Sequence, residues 1–221
     1  TLDDLIADRA NRLTAYQDEA LAEKYRERVA WARKLEAENA AGRDGFAEAV
    51  ARSYYKLLAV KDEYEVARLF TNGTFDAAVA ENFDGVRRVE YHMAPPFLAW
   101  FWKDKVTGEP RKIRIGGWIT PALRLLAKGK SLRGTFWDVF GRTAERRRER
   151  EMITQYEEML DRIASKLSAG THATATALAG LPLEVRGFGH VKLANADRAA
   201  ARRDALLKEL ETPSPVPMAA E

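Results

Sequence analysis

The chain predicts a mainly α fold, a helical bundle with a long N-terminal helix hairpin and a small β-hairpin insertion around residues 86–117. Three observations carry that expectation. Apolar residues recur at three- and four-residue steps through most of the 221 positions, the spacing that lines one face of a helix. Long stretches hold neither Gly nor Pro, the residues that break helices. Strand-like alternation is confined to Val86–Met93, where Val89 and Tyr91 fall on one side and Arg88, Glu90 and His92 on the other.

Residues 1–39 read as one long helix. Thr1 can cap it, and Asp3 and Asp4 suit the positive end of its dipole. Leu2, Leu5, Ile6, Leu13 and Tyr16 form a stripe that Leu21, Tyr25, Val29, Ala32 and Leu35 continue. After a turn at Gly42–Gly45, a second helix carries Phe46, Val50, Tyr54, Leu57 and Tyr64 and stops at Asn72-Gly73. Residues 1–70 are therefore expected to pack as an antiparallel hairpin. Residues 74–141 form a mixed, aromatic-rich segment. A short helix from Thr74 to Asn82 precedes the strand-like stretch, and Pro95-Pro96 ends any ladder. The aromatic run Phe97–Trp102 does not discriminate strand from helix. Thr107-Gly108-Glu109-Pro110 is a turn, across which Arg111–Ile115 is expected to form a hairpin. Thr120 and Pro121 open a helix through Leu123, Leu125 and Leu126. Thr135–Gly141 is a loop holding Phe136, Trp137 and Phe140.

Residues 143–211 return to helix. Thr143 caps a segment whose Ile153, Tyr156, Leu160, Ile163 and Leu167 alternate strictly by three and four. A short helix spans Ala173–Ala179, and a last one runs from His190 to Leu210. Residues 1–211 thus make one helical domain. Residues 212–221, with Pro213, Pro215 and Pro217, are expected to be a disordered tail.

Composition narrows the class. Apolar residues make up 46% and charged ones 31%, which suits a globular protein rather than a disordered one. The net charge of +3, from 36 basic and 33 acidic residues, is too small to indicate a nucleic-acid surface by itself. No run of about 18 apolar residues suggests a membrane span. The acidic start Thr1-Leu2-Asp3-Asp4 is unlike a secretory signal, and a first residue other than Met suggests a fragment or a processed product. A cytoplasmic location is expected. The chain has no cysteine, so it cannot supply the thiolates that ligate iron–sulfur clusters or act as redox nucleophiles.

Most chemical motifs fail on spacing. Gly129-Lys130-Ser131 resembles the end of a phosphate-binding loop, but position 124, where that motif needs Gly, is Arg. His92, His172 and His190 are scattered and show no metal-ligand spacing. Asp62, Glu63 and Glu65 read as a solvated face beside Lys61 and Arg68. Between Arg142 and Glu151, five arginines interleave with Glu145, Glu149 and Glu151. Some opposite charges sit three or four apart, yet Arg146 with Arg150 and Glu145 with Glu149 set like charges four apart. Acidic partners elsewhere would relieve the arginines. Arg146, Arg147 and Arg150 are therefore interface candidates, as are Trp100 and Trp102 among the aromatic residues. In Arg186-Gly187-Phe188-Gly189-His190-Val191-Lys192, backbone N–H groups with Arg186, Gly187, Gly189, His190 and Lys192 make a candidate anion or CoA contact. The competing reading is a tight connection in which the glycines solve backbone geometry and Phe188 plugs the core.

Several strings occur together and in order: Tyr55-Lys56-Leu57-Leu58-Ala59, Lys61–Leu69, Thr71-Asn72-Gly73-Thr74-Phe75, Ala94-Pro95-Pro96, Thr107-Gly108-Glu109-Pro110, Leu132-Arg133-Gly134-Thr135 and Arg186–Lys192. As a set, covering Thr1 to Leu210, they resemble the C-terminal region of the fused indolepyruvate ferredoxin oxidoreductases. The resemblance implies a parent that decarboxylates aryl-2-oxo acids with thiamine diphosphate and Mg, passes electrons through iron–sulfur clusters to ferredoxin, and forms aryl-acetyl-CoA. Those cofactors are expected in other domains, none in this chain, and no catalytic residue is carried over. A helical accessory domain for assembly and docking, in a homo-oligomer, is the role implied. A free-standing helical module that binds an acidic partner or RNA through Arg142–Arg150 is the alternative.

Overall fold

A computed structural model describes residues 1–93, 113–186 and 189–212, excepting the side chains of residues 144, 145 and 189–193. Among the described residues the protein is mainly helical, with one two-stranded antiparallel sheet. The helices are α1 (Leu2–Tyr16), α2 (Glu19–Asn39), α3 (Phe46–Leu58), α4 (Glu63–Thr71), α5 (Thr74–Asn82), α6 (Thr120–Lys128), α7 (Ala144–Ala164), α8 (His172–Gly180) and α9 (Gly189–Glu211). Strands β1 (Glu90–Met93) and β2 (Ile113–Gly116) pair with Glu90 opposite Gly116 and Met93 opposite Ile113. The chain divides into two compact units, residues 1–60 with 134–221, and residues 61–133.

In the first unit the helix expected over residues 1–39 is two helices. The break falls at Gln17-Asp18, where the Asp18 carboxylate accepts from the Leu21 N–H at 2.9 Å. Asp satisfies a free helix-end donor better than it fits a helix interior, so the chain restarts there. α1 and α2 pack together as a hairpin, and α2 packs in turn on α3. Their shared core holds Leu13, Tyr25, Val29, Phe46, Val50 and Tyr54, closed by Tyr156, Leu160 and Ile163 of α7 and Leu178 of α8. Fully buried Ala22, Ala32, Ala51, Ala175 and Ala179 let the helix backbones approach closely. Tyr25, Tyr54 and Tyr156 stack through this core, with ring centroids 6.4 and 6.2 Å apart. Tyr156 Oη donates to Ala179 O at 2.8 Å, and Tyr54 Oη donates to Glu157, which also pairs with Lys24 at 2.9 Å.

The second expected helix is likewise divided. α3 ends at Leu58, and Asp62 caps α4 by accepting from the Glu65 N–H at 2.8 Å. α4 lies in the second unit, which α5, the sheet and α6 complete. Its small core is Ala67, Tyr91 and Leu123, with Phe70, Phe75, Val89 and Leu126 packed around them. Phe70 meets both Phe75 and Tyr91 edge-on, at 5.4 and 5.0 Å. The strand that pairs with β2 is β1; the expected turn at 107–110 and the aromatic run 97–102 lie outside the described residues. Thr120 does not cap α6. Its hydroxyl donates to Gly117 O at 2.8 Å instead. The expected tail at 213–221 also lies outside the described residues. Among the described residues, no helix is long and apolar enough to cross a membrane.

Candidate functional site

Three large apolar side chains stand in solvent on the loop that leads into α7. Phe136 is 76% exposed, Trp137 71% and Val139 66%. Exposed apolar side chains in a flexible loop would collapse onto the nearest surface, so what holds this loop decides its meaning. Asp138, buried at 6% exposure, is the pin. Its carboxylate accepts from the Gly134 N–H at 3.0 Å and from the Gly141 N–H at 2.9 Å, tying both ends of the loop to its centre. Gly134 takes φ +72°, the left-handed region where a side chain strains the backbone. A Cβ on Gly141 would stand 2.2 Å from Asp138 Oδ2, so only glycine lets the carboxylate in.

Arg142 adds a second clasp. Its Nη2 donates to Phe136 O at 2.5 Å, and its guanidinium sits 4.9 Å from the Phe136 ring centroid. Phe136 and Trp137 meet edge-to-face at 5.5 Å. The Thr135 hydroxyl accepts from the Trp137 N–H at 3.2 Å. The loop backbone is thus fastened, and its aromatic side chains stand exposed on it. An aromatic pair next to arginine on a fastened loop is the composition of a protein-binding hot spot, because less ordering entropy remains to be lost on contact.

α7 starts at the end of this loop, where the Thr143 hydroxyl accepts from the Arg146 N–H at 3.3 Å. Of the predicted interface arginines, Arg146 is engaged with Glu149 at 2.6 Å and is mostly buried. Arg147 and Arg150 are exposed. Trp100 and Trp102 lie outside the described residues. So does Gly187 of the predicted anion site, while Gly189, His190 and Lys192 fall in the first turn of α9 without described side chains. Arg186 is described: its Nε donates to Leu183 O at 2.7 Å, and its own carbonyl accepts from Asn195 Nδ2 at 2.7 Å. These contacts fasten the connection into α9. Lys56 Nζ fastens it from α3, donating to Pro182 O at 2.7 Å and Val185 O at 2.8 Å.

Two buried polar centres escaped sequence reasoning, and one corrects it: Asp62, expected on a solvated face, is buried. In the first unit Glu36 accepts from the Phe46 and Ala47 N–H groups at 2.7 and 3.0 Å, and His172 Nε2 lies 2.7 Å from its Oε1. In the second, Asp62 holds Arg133 in two hydrogen bonds of 2.5 and 2.8 Å, and the guanidinium lies 5.4 Å from the Tyr64 ring centroid. Both are buried, and both order helix ends. The Asp138 pin was missed too; its only trace in sequence is an Asp set between two glycines in an aromatic loop. Among the described residues, no group of three or more His, Asp or Glu side chains is placed to hold a metal ion.

No curated protein and no solved structure matches the chain. Residues 2–205 match a family of unknown function, DUF6537, and the chain belongs to that family.

Proposed function

We propose that this chain is the non-catalytic C-terminal helical domain of an indolepyruvate (aryl-2-oxoacid) ferredoxin oxidoreductase, serving assembly and docking near the active site. The observation that carries a docking role is the loop Gly134–Thr143, whose Phe136 and Trp137 stand exposed on a backbone fastened by Asp138 and Arg142. The ordered strings from Tyr55 to Lys192 support the choice of parent. In this reading other domains of a cytoplasmic parent polypeptide bind thiamine diphosphate, Mg, iron–sulfur clusters and CoA, and ferredoxin takes the electrons there. This domain offers its aromatic loop to one of those domains.

The test is made in the parent enzyme. Phe136→Ala with Trp137→Ala is expected to lower turnover of arylpyruvate several-fold, or to shift the assembly state seen by light scattering. Both side chains are exposed, so the domain itself should keep its thermal stability. Turnover and assembly both unchanged would remove the docking role. Detectable arylpyruvate turnover by the 221-residue chain alone would remove the non-catalytic one. The alternative, an RNA or acidic-partner module, draws on the exposed Arg147 and Arg150, since Arg142 and Arg146 are engaged within the chain.

A further inference from the structure

The outward face of α7 is charged in an order that suits no single helix. The inward face, Tyr156, Met159, Leu160 and Ile163, is buried in the core of the first unit. Outward, Arg147, Arg150, Glu151, Thr154, Gln155 and Glu158 line a shallow open depression. Their steps of three and one make a straight stripe along the helix, about 16 Å long at the helical rise. All six are exposed, and among the described residues none of the four charged ones forms an ion pair. Elsewhere, helical arginines find carboxylates three or four residues away, as Arg12 with Asp8, Arg52 with Glu48 and Arg68 with Glu65 do. Arg147 and Glu151 are four apart, but an Arg that precedes its Glu is the poorer orientation. Arginines in the first turns of a helix also face the positive end of its dipole. The stripe is therefore basic at its amino end and acidic at its carboxyl end, and a neighbour running the opposite way would relieve both.

We propose that α7 pairs antiparallel with α7 of a second copy of this chain, about a two-fold axis between Glu151 and Thr154. That axis sets Arg147 against the partner's Glu158, and Glu158 against the partner's Arg147. It sets Arg150 against the partner's Gln155, and Glu151 against the partner's Thr154, both able to hydrogen-bond. A parallel pair would oppose arginine to arginine at two positions, so the charge order selects the antiparallel arrangement. A two-fold interface requires one surface to complement itself, and this stripe does. A polar stripe of this length falls short of the roughly 800 Å² per partner of a stable interface, so the dimer is weak, about micromolar or weaker, and salt-sensitive. The pairing needs no part of the proposed parent enzyme, because every residue in it lies in this chain.

Sedimentation equilibrium of the full 221-residue chain at low salt is the experiment. Dimer should form with rising concentration and dissociate as salt is added. Arg147→Glu and Glu158→Arg should each weaken association about tenfold or more, since symmetry turns two attractive contacts repulsive. The double variant R147E/E158R restores the opposite charges and should recover wild-type association within about threefold. Arg148→Glu, exposed but off the stripe, should leave association within about twofold. A chain that stays monomeric at several hundred micromolar overturns the proposal. So does a charge swap that fails to restore what its single components lose. A monomer that instead binds RNA through Arg147 and Arg150 overturns it in favour of a polyanion site.

Discussion

Glu36, near the carboxyl end of α2, lies with its carboxylate against the first N–H groups of α3. Gly45 precedes that helix at φ +120° and has no side chain to cap it. The cap comes from a different helix, and His172 at the start of α8 locks the same carboxylate. Glu36→Ala would strand two buried donors and an imidazole, a loss of about 2–4 kcal/mol. Urea unfolding should show it as a lower midpoint with unchanged slope, and a midpoint equal to wild type would refute the arrangement. Asp138 acts on the same scale. Asp138→Ala and Gly141→Ala should each speed amide exchange across residues 134–143, by about tenfold if one net hydrogen bond of ~1.4 kcal/mol is lost. Exchange as slow as in wild type would mean that the loop is held by other contacts. Neither role was legible in the sequence. Glu36 looks like any charge on a polar helix, because its partners lie ten and 136 residues away.

Helix boundaries were legible where the signal was local. α5 begins at Thr74 after the left-handed Gly73 and ends at Asn82, and α7 begins after Thr143, as the turn and capping residues indicate. The expectation failed at Asp18 and Asp62. There apolar residues recur on both sides of the break and hide a carboxylate that restarts the helix. Asp62 has a further duty, its buried pair with Arg133, which ties the start of α4 to the end of the segment after α6. Removing one member of a buried pair leaves the other charge stranded, at about 3–5 kcal/mol. Asp62→Ala should therefore raise amide exchange in residues 61–133 well before the rest of the chain responds. Asp62→Ala combined with Arg133→Met should recover part of the loss, because no lone charge remains buried. Uniform loosening of both units, or no recovery in the double variant, would count against this assignment. Gly129→Ala acts on the same unit, since its Cβ would stand 2.8 Å from the Tyr64 ring.

Across the whole molecule, the helical class could be read from periodicity, whereas the division at residues 60 and 134 could not. Those bounds depend on which distant segments touch, although the aromatic-rich stretch expected over 74–141 overlaps much of the second unit. The stacked tyrosines make the first unit sensitive to alkali. Burial pushes the Tyr25 phenol from its ordinary 10.0 up to about 12, and burial raises Tyr54 and Tyr156 as well. All three stay neutral in the fold while the unfolded chain ionises near 10. Their contribution is complete below pH 10 and declines as pH rises above it; that of Tyr25 is lost as pH passes about 12. The melting temperature should fall steeply above pH 10, together with the appearance of tyrosinate absorbance; a flat profile to pH 12 would contradict the buried stack. Glu157 works in the opposite direction. Burial raises its carboxyl, but the Tyr54 hydrogen bond and Lys24 outweigh that and hold it below its ordinary 4.5. Its contribution is present above 4.5 and fades as acid protonates it.

The interruption of the first unit also matters during synthesis. Phe46, Val50 and Tyr54 leave the ribosome before Tyr156, Leu160 and Ile163, which roof them and follow about a hundred codons later. The whole of residues 61–133 must be translated in between. At about 5–20 residues per second those 73 residues occupy the nascent chain for roughly 4–15 s, with half of the core bare. That interval is when a chaperone would find this polypeptide, and when slow codons in the stretch would do the most harm.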